Sequence, residues 1–186
     1  MLARTVGHNV PLREVMAEAY DWNPARVVLP PEAPKSGFDF LVTVTKTRKH
    51  LRSAIQNKLG YVAHSETRNT DVLVLKAIHL NPPGLKISAD GENADISCKD
   101  GRLYFKHQSL SLVLKGLEDS LTLPVQDQTG LTNFYNFSLV WNQDIEKAMH
   151  SGGFDLDGVK KALGGWGLQL EPDMATLDML IVEKPH

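Results

Sequence analysis

The chain has 186 residues, of which 42% are hydrophobic and 23% are charged, so it is long enough for one good core or two small ones. Its 20 basic and 22 acidic residues give a net charge of −2, which offers no general electrostatic surface for nucleic acid. The single cysteine, Cys98, excludes an intramolecular disulfide and a metal site made only of cysteines. No apolar run approaches the roughly 20 residues of a membrane span. The first residues lack the pattern of a signal peptide, which fits either a cytosolic protein or a mature form whose export signal is missing.

The first half of the chain begins with a predicted strand at residues 3–7 and an amphipathic helix. We expect Asn9 to be the N-cap of this helix and Pro11 to lie in its first turn. Its apolar face consists of residues at helical spacing, namely Leu12, Val15, Met16 and Ala19. A short strand at residues 25–31 follows, and its prolines stop it.

The rest of the first half predicts a strand, a second helix and two further strands. Apolar and polar residues alternate over residues 37–46, and the inward side chains of this strand are Phe38, Phe40, Val42 and Val44. The helix begins near Thr47 and ends at Gly60, because glycine readily adopts the left-handed conformation that terminates helices. The last segment predicts two strands joined at Asn69–Thr70.

The second half repeats this order of elements. The predicted elements are a strand at 102–108, a helix at 109–121, a short strand at 121–125, a strand at 133–141, a helix at 157–167 and two final strands at 168–184. Residues 60–76 align with residues 167–183 without a gap, and Val15 aligns with Val113. The second copy carries an insertion between Trp141 and Val159, which we expect to be a loop.

The repeated order predicts an α+β protein made by tandem duplication of a small unit. In each unit the order is strand-helix-strand-strand-helix-strand-strand, and the helices cover one face of a mainly antiparallel sheet. The predicted first repeat is residues 1–80, the connector 81–101 and the second repeat 102–186. The connector contains extended segments at 84–88 and 94–98. Because a unit of about 75 residues is marginally stable alone, we expect the two repeats to pack together.

Four segments together resemble a known family. They read VPLREVMAEAYDW, LGYVAHSETRNTDVLVLKA, PVQDQTGLTNFYNFSLVW and ALGGWGLQLEPDMATLDMLIVEKP. They are similar to soil-associated bacterial proteins of unknown function, which are abundant in acidobacteria. The resemblance covers nearly the whole chain and implies an exported protein, often preceded by a signal sequence or joined to a sensor-type membrane peptidase or a thioredoxin-like domain. It implies no established activity and no accepted catalytic residues.

This chain departs from the family pattern in two places. Asn136 stands where the family commonly has aspartate, and no leader sequence is present.

Each repeat also has a weaker likeness, at the level of the fold only, to the short N-terminal modules of secretins and outer-membrane receptors. Those modules serve as periplasmic docking surfaces.

Two groups of polar residues are candidates for a binding site. His64, Glu66 and Arg68 point to the same side of a strand and could bind an anion or move a proton, but they also suit the solvent-exposed side of that strand. Asp127 and Thr129 could hold a cation or polarise a substrate. The favoured interpretation is a turn, in which Asp127 accepts backbone N–H groups and the glycine after Thr129 adopts a positive φ.

No other pattern in the sequence indicates catalysis. The remaining histidines lack metal-ligand spacing, the glycines at 164–167 end a helix instead of starting one, and Cys98 has no base beside it in the sequence. No metal, cofactor or catalytic residue is therefore predicted.

We expect a non-enzymatic binding or docking domain, periplasmic or extracellular, with a protein or peptide partner in the cell envelope. A hydrolase with a site between the two repeats and a structural component of an envelope assembly are the alternatives.

Overall fold

A computed structural model describes residues 5–43, 47–79, 81–140 and 156–185. These residues form α-helices and three β-sheets, which confirms the predicted α+β class. The chain divides into two compact units. Unit 1 consists of residues 1–70 and 176–186, and unit 2 consists of residues 71–175. Among the described residues, no helix has the length and apolar character needed to cross a bilayer.

The first part of the chain supplies two helices and four strands. They are β1 (Thr5–Val10), α1 (Leu12–Tyr20), β2 (Val27–Val28), β3 (Phe38–Val42), α2 (Thr47–Leu59) and β4 (Val62–Ala77). A short 3-10 helix at Pro24–Arg26 precedes β2. The positions of α1, β2, β3 and α2 follow the sequence prediction, because apolar periodicity is a strong signal in these segments. Val44 lies outside the described residues.

Within the described residues, the later part of the chain supplies two helices and six strands. They are β5 (Lys86–Ile87), β6 (Asp95–Lys99), β7 (Arg102–Gln108), α3 (Leu110–Leu121), β8 (Val125–Asp127), β9 (Tyr135–Val140), α4 (Leu156–Gly165) and β10 (Leu168–Glu183). β5 and β6 confirm the extended segments expected in the connector. The expected loop between Trp141 and Val159 falls mostly on residues 141–155, which lie outside the described residues.

Each unit has its own hydrophobic core. The core of unit 1 consists of Leu12, Val15, Met16, Ala17, Ala19, Val27, Leu51, Ile55, Tyr61, Leu180 and Val182. The core of unit 2 consists of Leu73, Leu75, Leu85, Leu110, Leu117, Val125, Tyr135, Phe137, Val159, Leu163, Trp166, Leu168 and Leu170. The predicted apolar face of α1 is confirmed, since all four of its residues are buried. Trp166 is also buried.

The prediction of two strands joined at Asn69–Thr70 is wrong, because β4 runs without a break from Val62 to Ala77. The same holds at the end of the chain, where β10 is one strand of 16 residues and not two. The unit boundaries fall within these long strands, so each strand contributes one part to each unit. In unit 1, Thr67 of β4 donates a side-chain hydrogen bond to Asp178 of β10.

The strands form sheets of two, four and four strands. The orders are β1-β3, β2-β10-β4-β8 and β5-β9-β7-β6. The first and third sheets are antiparallel. In the second sheet β2 pairs with β10 in parallel and β8 pairs with β4 in parallel, which departs from the mainly antiparallel arrangement that we expected.

The prediction that Asn9 caps α1 is wrong. Asn9 lies in β1, and the N-cap position is held by Pro11, which makes no side-chain capping bond. Asn9 has a φ of 51° at a bulge in the β1–β3 pairing, and its N–H donates to Asp39 Oδ1 at 2.7 Å. Asparagine tolerates this left-handed conformation better than most residues, which explains its place there.

The pairings within the two units match the alignment of the two halves of the sequence. Leu73 and Leu180 are aligned residues, and they pair with Val125 and Val27, respectively. A bulge interrupts β1–β3 and also β7–β9, where His107 has a positive φ as Asn9 does. These matches support a duplication, which stays a prediction. The predicted boundaries of the repeats also stay a prediction, because they describe sequence similarity and the units describe spatial contacts.

Candidate functional site

The predicted group His64, Glu66 and Arg68 lies on β4 in unit 1, and its side chains contact one another. Arg68 donates to Glu66 Oε1 from Nε at 3.2 Å and from a terminal nitrogen at 2.8 Å. His64 lies between two carboxylates, with Nε2 3.8 Å from Glu66 and Nδ1 3.7 Å from Glu183. The hydrogen bond from Arg68 lowers the pKa of Glu66. Because these side chains contact one another on an exposed surface, with Arg68 paired to Glu66, the group has the character of a solvated strand face.

The predicted pair Asp127 and Thr129 forms a turn in unit 2. Asp127 Oδ1 accepts the N–H of Thr129 at 2.8 Å and its hydroxyl at 2.7 Å. The hydroxyl oxygen of Thr129 in turn accepts the N–H of Leu131 at 3.1 Å, and Gly130 has a φ of 68°. The expected turn geometry is therefore confirmed. Its physical effect is to fix the path of the loop that follows.

That loop forms one wall of a cleft of about 390 Å³ in unit 2. The cleft is lined by Asn81, Pro82, Leu85, Ile87, Gly130, Leu131, Thr132, Asn133 and Tyr135. Leu85 and Tyr135 are buried, whereas Ile87 is 61% exposed. Apolar side chains thus alternate with the amides of Asn81 and Asn133 and the hydroxyl of Thr132. A cleft of this size has room for a small organic group or a single side chain.

A group of polar side chains that sequence analysis missed lies next to this loop. Glu92 Oε2 accepts three hydrogen bonds, from Ser88 Oγ at 2.6 Å, from Asn136 Nδ2 at 2.9 Å and from the N–H of Ala89 at 3.2 Å. Ser88 Oγ also lies 2.8 Å from His107 Nδ1. The Asn136 side-chain oxygen accepts the N–H of His107 at 2.8 Å. These contacts tie residues 88–92 to the bulge of β7 and to β9.

The imidazole of His107 also supports the wall of the cleft. Its ring stacks on Phe134, with 4.4 Å between ring centroids and 7° between planes. The carbonyl of Phe134 accepts the N–H of Ser88 at 2.9 Å. The loop from Gly130 to Phe134 is therefore held at its start by the Asp127–Thr129 turn and at its end by Ser88 and His107.

The contact between Ser88 and His107 does not form a nucleophilic pair. A serine hydroxyl has one hydrogen, and an ionised carboxylate can only accept, so the hydrogen of Ser88 is directed to Glu92. Nδ1 of His107 must then donate to Ser88 Oγ, which fixes the tautomer of the imidazole. A catalytic serine requires the reverse arrangement, with the histidine as acceptor. Within the described residues, no group of three His, Cys, Asp or Glu side chains could hold a metal ion.

The hydrogen bonds from Ser88 and Asn136 lower the pKa of Glu92 from its ordinary 4.5 to about 2. Lys106, whose ammonium lies 3.5 Å from Glu92 Oε1, adds a smaller effect in the same direction. Because the pKa is lower in the folded protein than in the unfolded chain, the ionised carboxylate stabilises the fold above about pH 4.5. This stabilisation is lost as the pH falls from there toward 2.

We expect Glu92→Gln to lower the urea midpoint of unfolding at pH 7. The difference in midpoint between the variant and the wild type should become smaller as the pH falls. At pH 3 the difference should be clearly smaller, because the unfolded wild-type chain then takes up a proton at this position that the folded chain resists. Urea unfolding at pH 7, 5, 4 and 3 measures this, with Glu32→Gln at an exposed position as the control. A difference of equal size at every pH would contradict the assignment.

Sequence reasoning could have found part of this cluster. Ser88, Glu92, His107 and Asn136 come from three separate segments, and no short motif connects them. The Asp100-Gly101 pair is a local signal for this part of the sheet. Asp-Gly between extended segments predicts a tight hairpin, and the hairpin determines which residues of β6 and β7 lie opposite each other. Which residues then reach Glu92 depends on the bulge at His107, which the sequence does not mark.

Comparison with known proteins places the chain in a family without assigning a reaction. No curated protein and no solved structure matches the chain. A family model matches residues 13–184, which include the cleft and the cluster around Glu92. The chain therefore belongs to the family described as "Protein of unknown function (DUF3738)".

Proposed function

We propose that this protein is an exported binding domain that takes a short, extended segment of a partner protein into the cleft of unit 2. The observation that carries the proposal is the lining of the cleft. Its apolar part, formed by Leu85, Ile87, Leu131 and Tyr135, suits an apolar side chain of the partner. The amides and hydroxyl of Asn81, Thr132 and Asn133 suit the backbone N–H and C=O groups on either side of that side chain.

The position of β5 favours an extended peptide over a compact ligand. β5 lies at the edge of its sheet, where it pairs with β9 on one side and with no described strand on the other. Ile87 of β5 lines the cleft directly. An extended peptide could therefore hydrogen-bond to this edge while it places a side chain in the cleft, which is a common mode of peptide recognition.

The loop between Gly130 and Phe134 is held in the free protein by the hydrogen bonds and ring stacking described above. Binding to a preformed wall avoids the entropic cost of ordering that wall when the ligand arrives. The Ser88–Glu92–His107 cluster thus contributes to binding by holding the loop, without contacting the peptide.

The same lining gives no support to hydrolysis at this cleft. None of the nine residues that line this cleft is a histidine, carboxylate, lysine, cysteine or serine. The hydroxyls of Thr132 and Tyr135 have no histidine, carboxylate or lysine within this lining to activate them, as peptide or ester hydrolysis requires. The nearby Ser88 is hydrogen-bonded to Glu92 and is not activated by His107. Binding is the activity that this site supports best.

The test is a titration of the 15N-labelled protein with acetylated and amidated pentapeptides that carry Leu, Phe or Tyr at the centre. We expect the amide signals of Ile87, Gly130, Thr132 and Asn133 to shift and to saturate. Ile87→Glu should weaken binding at least about 10-fold, since burial of such a side chain contributes about 1.5–3 kcal/mol. Ile78→Glu is the matched control, because Ile78 is 50% exposed in the same unit and does not line the cleft.

Two results would overturn this proposal. One is that none of the peptides shifts these amide signals at millimolar concentration. The other is that the Ile87 and Ile78 variants bind equally well. Mass spectrometry of the peptides after incubation tests the alternative at the same time. Intact peptides agree with binding, whereas cleaved peptides would favour a hydrolase.

Export and a soil-bacterial source are part of the proposal, and the sequence resemblance described above supports them. The four family-like segments include the turn at Asp127 and the loop that lines the cleft. An exported domain would meet its partner in the periplasm or outside the cell. Fractionation of the native organism with an antibody to this domain tests this location. Recovery of the protein mainly from the cytosol would contradict it.

A further inference from the structure

The strand β6 has a free edge in unit 2. It is the last strand in the order β5-β9-β7-β6, and all five of its residues are exposed. It pairs with β7 on one side and with no described strand on the other. A free edge presents backbone N–H and C=O groups to which another strand can hydrogen-bond.

The hairpin turn determines which backbone groups of β6 are free. Asp100 and Gly101 both have positive φ, at 51° and 69°, which is the type I′ turn of a two-residue hairpin. In this turn the carbonyl of Lys99 accepts the N–H of Arg102, so the backbone groups of Lys99 face β7. The backbone N–H and C=O groups of successive residues point to opposite edges of a strand. The groups of Ser97 and Asp95 therefore also face β7. The groups of Ile96 and Cys98 face outward.

The side chains of β6 are complementary to a reversed copy of the same strand. In an antiparallel pair centred on Ser97, Asp95 lies opposite the partner's Lys99, and Ile96 lies opposite the partner's Cys98. The outward backbone groups of Ile96 and Cys98 then form hydrogen-bonded pairs, so the same register satisfies the backbone and the charges. Ile96, which is 50% exposed, would also contact an apolar neighbour.

We propose that β6 is a self-association edge through which two copies of the chain pair as antiparallel strands centred on Ser97. The arrangement has two-fold symmetry, so every contact occurs twice. Both Asp95 and Lys99 are exposed, and in each copy they would oppose a charge of opposite sign. A partner strand without this charge pattern would lack these two cross-strand charge pairs, so the pattern favours a second copy over other strands.

The dimer is expected to be weak in solution. A five-residue edge covers less area than the roughly 1,200 Å² at the lower limit of stable interfaces. We therefore expect a dimer of the full chain whose population rises with protein concentration. This inference is independent of the cleft, because β6 and the cleft share no residue.

Charge reversal at the two ends of β6 tests the pairing. Asp95→Lys alone and Lys99→Asp alone should each weaken dimerisation by about 10-fold, because like charges then face each other twice. An equimolar mixture of the two variants should restore dimers, since every charge regains an opposite partner in the mixed pair. Sedimentation equilibrium measures this, and circular dichroism of each variant checks its fold.

Cross-linking tests the register independently. In a Cys98→Ser background, Ser97→Cys places two thiols directly opposite each other at a separation that a disulfide can span. It should give a covalent dimer on mild oxidation, whereas Lys99→Cys in the same background should react much more slowly. A wild-type protein that stays monomeric at 1 mM, a mixture that does not restore dimers, or equal cross-linking at both positions would each overturn the proposal.

Discussion

Deletion of residues 176–186 is expected to unfold unit 1 and to leave the core of unit 2 in place. The deleted segment carries the end of β10, whose Leu180 and Val182 belong to the core of unit 1 and are 1% and 3% exposed. It also removes the strand that pairs with β2. Burial of two such side chains contributes about 3–6 kcal/mol, which is comparable with the whole stability of a small domain.

Hydrogen exchange followed by NMR measures this result separately in each unit. Amides of α1 and α2 should lose protection in the shortened chain, and amides of α3 should keep it. Deletion of residues 184–186 alone is the control, since it leaves Leu180 and Val182 in place. Leu180→Asp should reproduce the effect of the long deletion, because it places a charge in the core. Protected amides in α1 of the long deletion would contradict the composition of unit 1.

Trp166→Ala is expected to destabilise unit 2 by about 3–5 kcal/mol, the usual cost of removing a large aromatic side chain from a core. The indole lies edge-on to Phe137 with ring centroids 4.9 Å apart, and it is 9% exposed. Its Nε1–H donates to the carbonyl of Ser138 at 2.9 Å. The variant therefore loses apolar burial, an aromatic contact and a hydrogen bond to β9.

Urea denaturation of the variants, followed by circular dichroism, measures this effect. Trp166→Phe separates the contributions, because it keeps most of the apolar volume and loses the hydrogen bond, so its effect should be clearly smaller. Leu112→Ala, at a position on α3 that is 38% exposed, is the control for a general effect of truncation in this unit and should change stability less than Trp166→Ala. Equal stability of Trp166→Ala and Leu112→Ala would contradict the place of the indole in the core.

The helices were predictable from the sequence because each has a regular apolar face. Leu51 and Ile55 of α2 are buried at helical spacing, and Gly60 follows the last turn with a φ of 75°. The strand β7 was predicted with the bounds that the structure shows. In these segments the local pattern and the tertiary environment favour the same structure, so periodicity alone is sufficient.

The two long strands were not predictable in the same way. Asn69 and Thr70 have the composition of a turn, and side chains from His64 to Thr67 are exposed, so the local pattern indicates an interruption. Tertiary contacts nevertheless keep this segment extended. The side chains of Thr67 and Asp178 are hydrogen-bonded between β4 and β10, and this neighbouring strand supports an extended backbone through the polar segment.

The candidate site shows the same limit of sequence reasoning. The turn at Asp127 was predictable, because Asp, Thr and Gly in this order have strong local preferences. The cleft and the Glu92 cluster combine residues from the connector, β7 and the loop before β9, so they exist only once the third sheet has formed. His107 illustrates the difficulty, since its positive φ occurs at a bulge that no short motif in the sequence marks.

The division of β10 between the units has a consequence for synthesis. A ribosome makes the chain from its N-terminus, so α1 and α2 emerge long before residues 176–186, which complete the core around them. Until residues 176–186 have emerged, the apolar faces of both helices lack their last neighbours. Contacts so distant in sequence also form slowly. Unit 1 should therefore acquire its native structure only after residues 176–186 have emerged, and the nascent protein should depend on chaperones during that interval.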